Sequence, residues 1–136
     1  EHPNNYCIGS KEFAKLMKNY RPQMAILLDL VGGKDLKIHY EANSLAHAGV
    51  MLKKVFDIAH DLGYEENFIK KEGSALMDDH LSLIKAGIPM IDLIDQEIVV
   101  NNKHGIHHTH KDNLQEIDQK SLQIVGDVML HVIYGD

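Results

Sequence analysis

The run Met24-Ala-Ile-Leu-Leu-Asp-Leu-Val31 is apolar on both of its alternating faces and ends at Gly32-Gly33. A segment like this is satisfied as a central strand of a parallel sheet, covered on both sides, with the glycines ending it. Parallel strands need helical crossovers, so the neighbouring segments should be helices that cover the sheet. Lys37–Glu41 alternates and predicts a second, shorter strand. From Ser44, the residues Leu45, Ala48, Leu52, Val55, Phe56, Ala59 and Leu62 form one helical stripe, stopped by Gly63. Asn67–Lys71 predicts another strand. A short helix then begins at Asp78-Asp79-His80 and runs through Ala86 to a stop at Gly87. Ile88–Ile94 reads as a strand whose proline, Pro89, sits near its start, where a missing donor is tolerated. Asp118 is placed to cap a last helix, with Ile117 and Leu122 as a hydrophobic staple. Leu122, Val125, Val128, Met129, Val132 and Ile133 would be its buried face. Near the N-terminus, Ser10 would cap a helix through Asn19 with Phe13, Leu16 and Met17 on one face, stopped by Arg21-Pro22. The expectation is an α/β fold with a mostly parallel central sheet and flanking helices, in one domain over residues 1–136.

With 136 residues, 44% hydrophobic and 25% charged, the composition is that of a globular domain. The formal net charge of −6 argues against nucleic acid or an anionic membrane, which recruit cationic surfaces, and favours a small molecule or a peptide as partner. No apolar run approaches the length of a membrane span. The single cysteine, Cys7, excludes an internal disulfide and has no motif around it that would make it a nucleophile. Val31-Gly32-Gly33-Lys34 lacks the spacing of a phosphate-binding loop.

Four of the ten histidines lie in Asn102-Lys-His-Gly-Ile-His-His-Thr-His-Lys-Asp112. Imidazoles concentrated this way suggest a metal site, yet no zinc-finger spacing and no nearby cysteine accompany them. In an extended segment, His108 and His110 would point one way and His107 the other. Single loop histidines are commonly solvated, which is the reading for His104, His107 and His110. Asp29 sits in an apolar strand near its C-terminal end, where sites form in open α/β sheets. It either pairs or binds metal, since lone burial costs several kcal/mol, or it accepts hydrogen bonds from the Gly32-Gly33 turn. Asp78 reads as a helix cap, Asp79 as a cap or a ligand, and His80 as bonded to neighbouring backbone. Asp92, in a strand of otherwise apolar residues, raises the same burial problem as Asp29; the safer reading is that its side chain points towards the strand end and solvent.

Taken together, Leu27-Leu-Asp-Leu-Val-Gly32, Asp78-Asp-His-Leu-Ser-Leu-Ile-Lys-Ala-Gly-Ile-Pro89 and His108-Thr-His-Lys-Asp-Asn113 resemble the zinc-dependent glutaminyl-peptide cyclotransferases and the related zinc aminopeptidases. Order and spacing match across nearly the whole chain. The Asp78-Asp79 doublet, the Lys-Asp-Asn ending and Gly87-Ile-Pro-Met-Ile-Asp92 look more like the cyclase branch with its bacterial members. The resemblance implies a zinc-exopeptidase-like fold whose N-terminal half is absent, so that the chain is the C-terminal part of a larger catalytic domain. It implies His108 as the zinc-binding histidine. Asp29 would be the strand-end aspartate that binds a second metal in two-zinc aminopeptidases and joins a hydrogen-bond network in cyclases, and Asp79 the aspartate of that network.

In the cyclases, as the resemblance implies, zinc polarises the γ-amide of an N-terminal glutamine while a glutamate shuttles the proton to departing ammonia. His107 stands where the family usually has a pocket-lining Trp. The motifs supplying the glutamate and the other zinc ligands would precede this chain, and Asn5-Tyr-Cys-Ile-Gly-Ser10 looks like the stretch that follows them. The expected cofactor is therefore zinc in an incomplete site, and the expected substrate a peptide N-terminus. The alternatives are a zinc aminopeptidase or a non-catalytic derivative serving as a binding or oligomerisation module. Its exposed sheet edge would be covered by self-association or by a complementing N-terminal segment. The sequence does not fix the compartment; the resemblance is compatible with an exported or periplasmic protein.

Overall fold

The computed structural model describes residues 6–20 and 22–135, with the Lys18 side chain also outside the description. Asn5 and Arg21, which carried parts of the sequence reading, lie outside the described residues. The elements run α1 (Ile8–Leu16), a 3-10 turn (Met17–Asn19), β1 (Ile26–Asp29), β2 (Ile38–Tyr40), α2 (Ala42–Asp61) and β3 (Phe68–Glu72). They continue with α3 (His80–Lys85), β4 (Ile91–Ile94), α4 (Gln96–Val100) and α5 (Gln119–Tyr134). This is the expected α/β alternation.

The strands hydrogen-bond as two parallel pairs, β1 with β4 and β2 with β3. Between the pairs, the Asp92 N–H in β4 donates 2.9 Å to the Ser44 hydroxyl at the start of α2. β4 is buried along its whole length and separates two apolar layers. Ile91 and Leu93 join α2 and α5 in the main core, with Leu36, Ile38, Leu52, Val55, Phe56, Phe68, Val125 and Val128. On the opposite face, Leu83, Ile88 and Met90 pack with Met17, Ala25, Leu27 and Ile84 beneath α1 and α3. Phe56 anchors the main core, its ring tilted 4.6 Å from Tyr40 and edge-on 5.3 Å from Phe68. Burying each such side chain contributes about 1.5–3 kcal/mol.

The α2 stripe is buried as its spacing predicts, with Leu45 and Leu62 at its margins. Its cap, however, is the Glu41 side chain, and the helix begins at Ala42, two residues before the expected start at Ser44. Asp118 caps α5 by accepting from Lys120 N–H. Ile117 and Leu122 fold over Gly32, where a Cβ would meet Leu122 at 2.9 Å and Ile117 at 3.3 Å. Both remain half-exposed, and Ile133 is 64% exposed, so the buried face of α5 is narrower than its pattern suggests.

The first helix departs furthest from its pattern. Its N-cap position is Cys7, in a left-handed conformation, while the Ser10 hydroxyl donates to Cys7 C=O and to Ser82 Oγ across the α1–α3 contact. Phe13 and Leu16 are 49% and 83% exposed. Helix α4 was not expected: its five residues are too few for a stripe, and their β-branched ending reads as strand. No helix is long and apolar enough to cross a membrane among the described residues.

Candidate functional site

The two strands that end at the site are parallel, with Asp29 paired in register to Ile94. Both therefore deliver their C-terminal ends to one edge. Immediately after Asp29, Leu30 takes a left-handed backbone (φ 50), and its N–H donates to the Asp29 carboxyl. A β-carbon disfavours that conformation by about 1–2 kcal/mol. At the neighbouring strand end, Asp95 caps α4 through Glu97 N–H. It is fully buried and accepts from Lys103 Nζ at 2.9 Å and from Lys37 N–H at 3.2 Å. Lys103 also donates to Asp35 C=O. This buried lysine–aspartate contact ties the start of the histidine loop to the sheet edge.

The loop is a chain of turns, not the extended segment expected from its sequence. A 3-10 turn spans Lys103–Gly105, and Asn102, His104 and His108 all have positive φ. The Thr109 hydroxyl folds the next turn back by donating to Gly105 and Ile106 carbonyls. As a result His107 and His108 do not point apart: their rings stack with centroids 4.1 Å apart. His108 is exposed and His107 half-buried, while His104 and His110 are exposed and take no part.

These elements enclose a cavity of about 300 Å³ lined by Asp29, Asp78, His107, His108, Tyr6 and Asp112, together with the apolar residues Leu30, Leu76, Met77, Ile94 and Val99. Of the residues singled out in the sequence, Asp29, His107 and His108 come together. Asp79 does not line this cavity; its neighbour Asp78 does, and Asp78 is hydrogen-bonded to Asp29. Asp79 instead bonds the Cys7 thiol. Nor does Asp78 act as the expected side-chain cap, since its Oδ1 accepts the Asp79 N–H at 2.6 Å and no side chain caps α3. Burial pushes Asp29 up to about 6, helped by the Asp78 charge and hydrogen bond and opposed by the Leu30 N–H. Burial, the Asp79 hydrogen bond and the carboxylates of Asp79 and Asp78 hold the Cys7 thiol at about 11, unreactive at neutral pH.

Beneath the cavity lies a group that the sequence reading missed. Asp92 does not face solvent: it is wholly buried, 3.6 Å from His80 Nδ1. His80 does not bond neighbouring backbone; it is wholly buried between Asp92 and Glu41, whose Oε2 lies 3.2 Å from His80 Nε2. Neither imidazole nitrogen and neither Asp92 oxygen has a well-aligned hydrogen bond. Burial drives Asp92 up to about 8, reinforced by the carboxylates of Asp78, Asp29, Glu41 and Asp79. Burial acts on Glu41 in the same direction. There it is outweighed by the His80 contact and by the Leu76 and Ser44 donors, which hold Glu41 at about 2. The period-2 pattern of β4 offered a signal for Asp92, since residue 92 shares a face with Ile94 rather than with the core-facing Ile91 and Leu93.

The donor set tests whether a metal fits. Among the described residues, the only three donor atoms that converge within 4.8 Å belong to Cys7, Asp78 and Asp79, and none of them is an imidazole. His108 shares the cavity with carboxylates but, among the described residues, has no two further ligands at coordinating distance. A catalytic zinc takes about three protein ligands, so the described residues do not converge as such a site.

The fold is that of about half of a zinc exopeptidase. The family model "Peptidase family M28" matches residues 4–133, and the chain belongs to that family, which is zinc-dependent and acts on peptides. Among solved structures it is similar to a Zn-dependent exopeptidase from Parabacteroides distasonis, at 36% identity and TM-score 0.89, covering 100% of this chain and 48% of that one. Tannerella forsythia glutaminyl cyclase matches at 34% identity and TM-score 0.91, again over 100% and 48%. A leucine aminopeptidase precursor from Bacteroides thetaiotaomicron matches at 34% identity and TM-score 0.86, over 96% and 44%. The chain thus spans about half the length of these structures. A search of curated proteins returns no significant match.

Proposed function

We propose that this chain is the C-terminal part of a zinc-dependent enzyme acting on peptide N-termini, with glutaminyl cyclase as its activity. The observation that carries the reading is the hydrogen-bonded Asp29–Asp78 pair facing His107 and His108 across one cavity at the strand ends. A carboxyl pair with one member raised to about 6 holds a proton at mildly acid pH. It then presents a donor and an acceptor side by side. That suits a hydrogen-bond network that orients an amide and its leaving nitrogen. We assign the network role to Asp29 with Asp78, the neighbour of the doublet residue Asp79 first singled out. His108 is the one imidazole we assign to zinc, with its remaining ligands and the general base supplied from outside these residues. Zinc would contribute Lewis acidity towards the substrate carbonyl. His107, stacked on His108, would form a pocket wall more polar than an indole.

Aminopeptidase activity is the runner-up, and in it Asp29 would leave Asp78 to bind a second zinc. Incubating the full-length protein with a glutaminyl peptide separates the two. Ammonia with pyroglutamate at one zinc per chain is the cyclase outcome; free N-terminal residues at two zincs per chain are the peptidase outcome. Zinc titration of the present chain tests the His108 assignment: binding should be weak, and His108→Ala should lower it at least about tenfold, the effect of losing one of very few ligands. An unchanged affinity would mean that the other loop histidines bind opportunistically.

A further inference from the structure

We propose that Glu41 is a positioning residue that clamps the segment carrying Asp78 on both flanks and so sets the Asp29–Asp78 pair. This rests on the reading of that pair as part of the site. Glu41 is wholly buried, at the junction of β2 and α2, and both of its oxygens are committed. Oε1 accepts from Leu76 N–H at 2.9 Å and from the Asn43 backbone and side-chain N–H groups at 3.1 Å each. Oε2 accepts from Ser44 N–H at 2.6 Å and Ser44 Oγ at 2.7 Å, and lies 3.2 Å from His80 Nε2. Leu76 is two residues before Asp78 and His80 two residues after it.

Between these points Asp78 has few other anchors. Residues 74–79 form no regular element, and α3 begins only at His80. The segment is held at one end by Ser74 N–H to Gln96 and by Ala42 N–H to Ser74 C=O. Before Asp78 a further tether is Asn43 Nδ2 to Leu76 C=O at 3.1 Å, with Asn43 itself held by Glu41; after it, Leu81 and Ser82 N–H groups donate to the Asp78 and Asp79 carbonyls and Asp79 bonds the Cys7 thiol. One buried carboxylate therefore meets both sides of a five-residue arc whose centre meets Asp29, through a hydrogen bond at Leu76 and a 3.2 Å contact at His80. The same group caps α2, so the arc is referred to the longest helix of the fold and through Ser44 Oγ to Asp92 N–H in β4. A buried acceptor with this many donors leaves several groups unsatisfied when it is removed, which is why the effect should be strong and local.

The test reads the chain itself, so that failure of the enzymatic assignment and failure of this inference are distinguishable. Amide hydrogen exchange and carboxyl ¹³C NMR are compared in wild type, Glu41→Ala, Glu41→Gln and Asn43→Ala. In Glu41→Ala the Leu76 amide should exchange on the order of tenfold or more faster, as expected for a lost charge-assisted bond. The Asp29 carboxyl titration midpoint should move down from about 6 as Asp78 leaves it. Amides of α5 should keep their relative protection. Glu41→Gln retains one oxygen acceptor and should restore much of the Leu76 protection. If Glu41→Ala does not fold, Asn43→Ala, which removes only the Leu76 C=O tether and one donor to Glu41, should show the same changes in smaller measure. Unchanged Leu76 exchange and Asp29 midpoint in a folded variant would overturn the proposal. Exchange rising equally at Leu76 and throughout α5 would do so too, because Glu41 would then be serving global stability alone.

Discussion

Replacing Asp92 by Asn tests whether the carboxyl beneath the site is a neutral acid or the ionised partner of His80. Asp92 is fully buried, and neither of its carboxylate oxygens has a hydrogen-bond donor. Burial and four surrounding carboxylates raise it from its ordinary 3.8 to about 8. A folded-state value above the unfolded one means that its contribution is fully present below 3.8 and is lost as pH rises through 8. At pH 7 the gap is roughly three units, and at about 1.4 kcal/mol per unit the carboxyl costs about 4 kcal/mol relative to its acid limit. Asparagine keeps the shape and removes the titration. Urea unfolding at a series of pH values from about 5 to 8 should show Asp92→Asn gaining on wild type as pH rises, by several kcal/mol over the range. Glu41 works in the other direction: held at about 2, it stabilises the fold above its ordinary 4.5 and loses that as pH falls towards 2. Since Glu41 is present in both proteins, it largely cancels in the difference. The opposite sign refutes the reasoning. If Asp92→Asn is less stable at pH 7–8 by about 3–5 kcal/mol, Asp92 is the charged half of a buried ion pair with His80 whose disruption strands the imidazolium.

Two further outcomes follow from single contacts. A Cβ at Gly73 would collide with Gln96 Oε1, the acceptor for Ser74 N–H, so Gly73→Ala should lower the unfolding free energy by about 1–3 kcal/mol through overpacking and the lost bond. Thermal unfolding reads it, and an unchanged Tm would show that Gln96 moves freely. Lys103→Met leaves the Asp95 carboxylate buried with fewer donors. It should cost about 3 kcal/mol or more and speed exchange at residues 102–106; equal stability with an unperturbed loop would show that the contact does not anchor it.

What the sequence revealed and what it concealed divide along the range of the interactions involved. Asp29 was visible because a charge inside an apolar run is costly wherever the chain goes, and the α2 stripe because helical periodicity is local. Glu41 was invisible for the converse reason. At a strand–helix junction an acidic residue looks like an ordinary solvated charge, and its decisive donor, Leu76 N–H, lies 35 residues away. Asp95 is the same case, since Lys103 has no mark in the sequence as its partner. His108 stood out among its neighbours only through the resemblance, because the chain's turns, not its spacing, decide which imidazole faces the cavity. The Asp78-Asp79 doublet shows how fine the limit is. The sequence located the acidic position, but which of two adjacent side chains meets Asp29 depends on a non-regular arc held by tertiary bonds.

The apolar exposure on α1 and β1 leads to a last prediction. β1 hydrogen-bonds only to β4 among the described residues, and its sequence Ile-Leu-Leu-Asp carries neither proline nor lysine to discourage pairing on the other side. Leu28 is 44% exposed on it, with Phe13 and Leu16 exposed on α1. A four-residue edge with a few apolar neighbours falls short of the roughly 800 Å² per partner that stable interfaces bury. The chain studied alone should therefore self-associate weakly, visible by light scattering only at high micromolar concentration. Leu28→Lys puts a charge on the edge and should abolish the association without unfolding the domain, whereas an exposed lysine elsewhere, such as Val50→Lys on α2, should not. A monodisperse monomer at all concentrations would sink the argument. Association unaffected by Leu28→Lys would move the contact from the strand edge to α1, where Leu16→Lys is the corresponding test. If a further segment covers this edge, adding it in trans should compete with self-association, and that competition would identify the exposed strand as its docking edge.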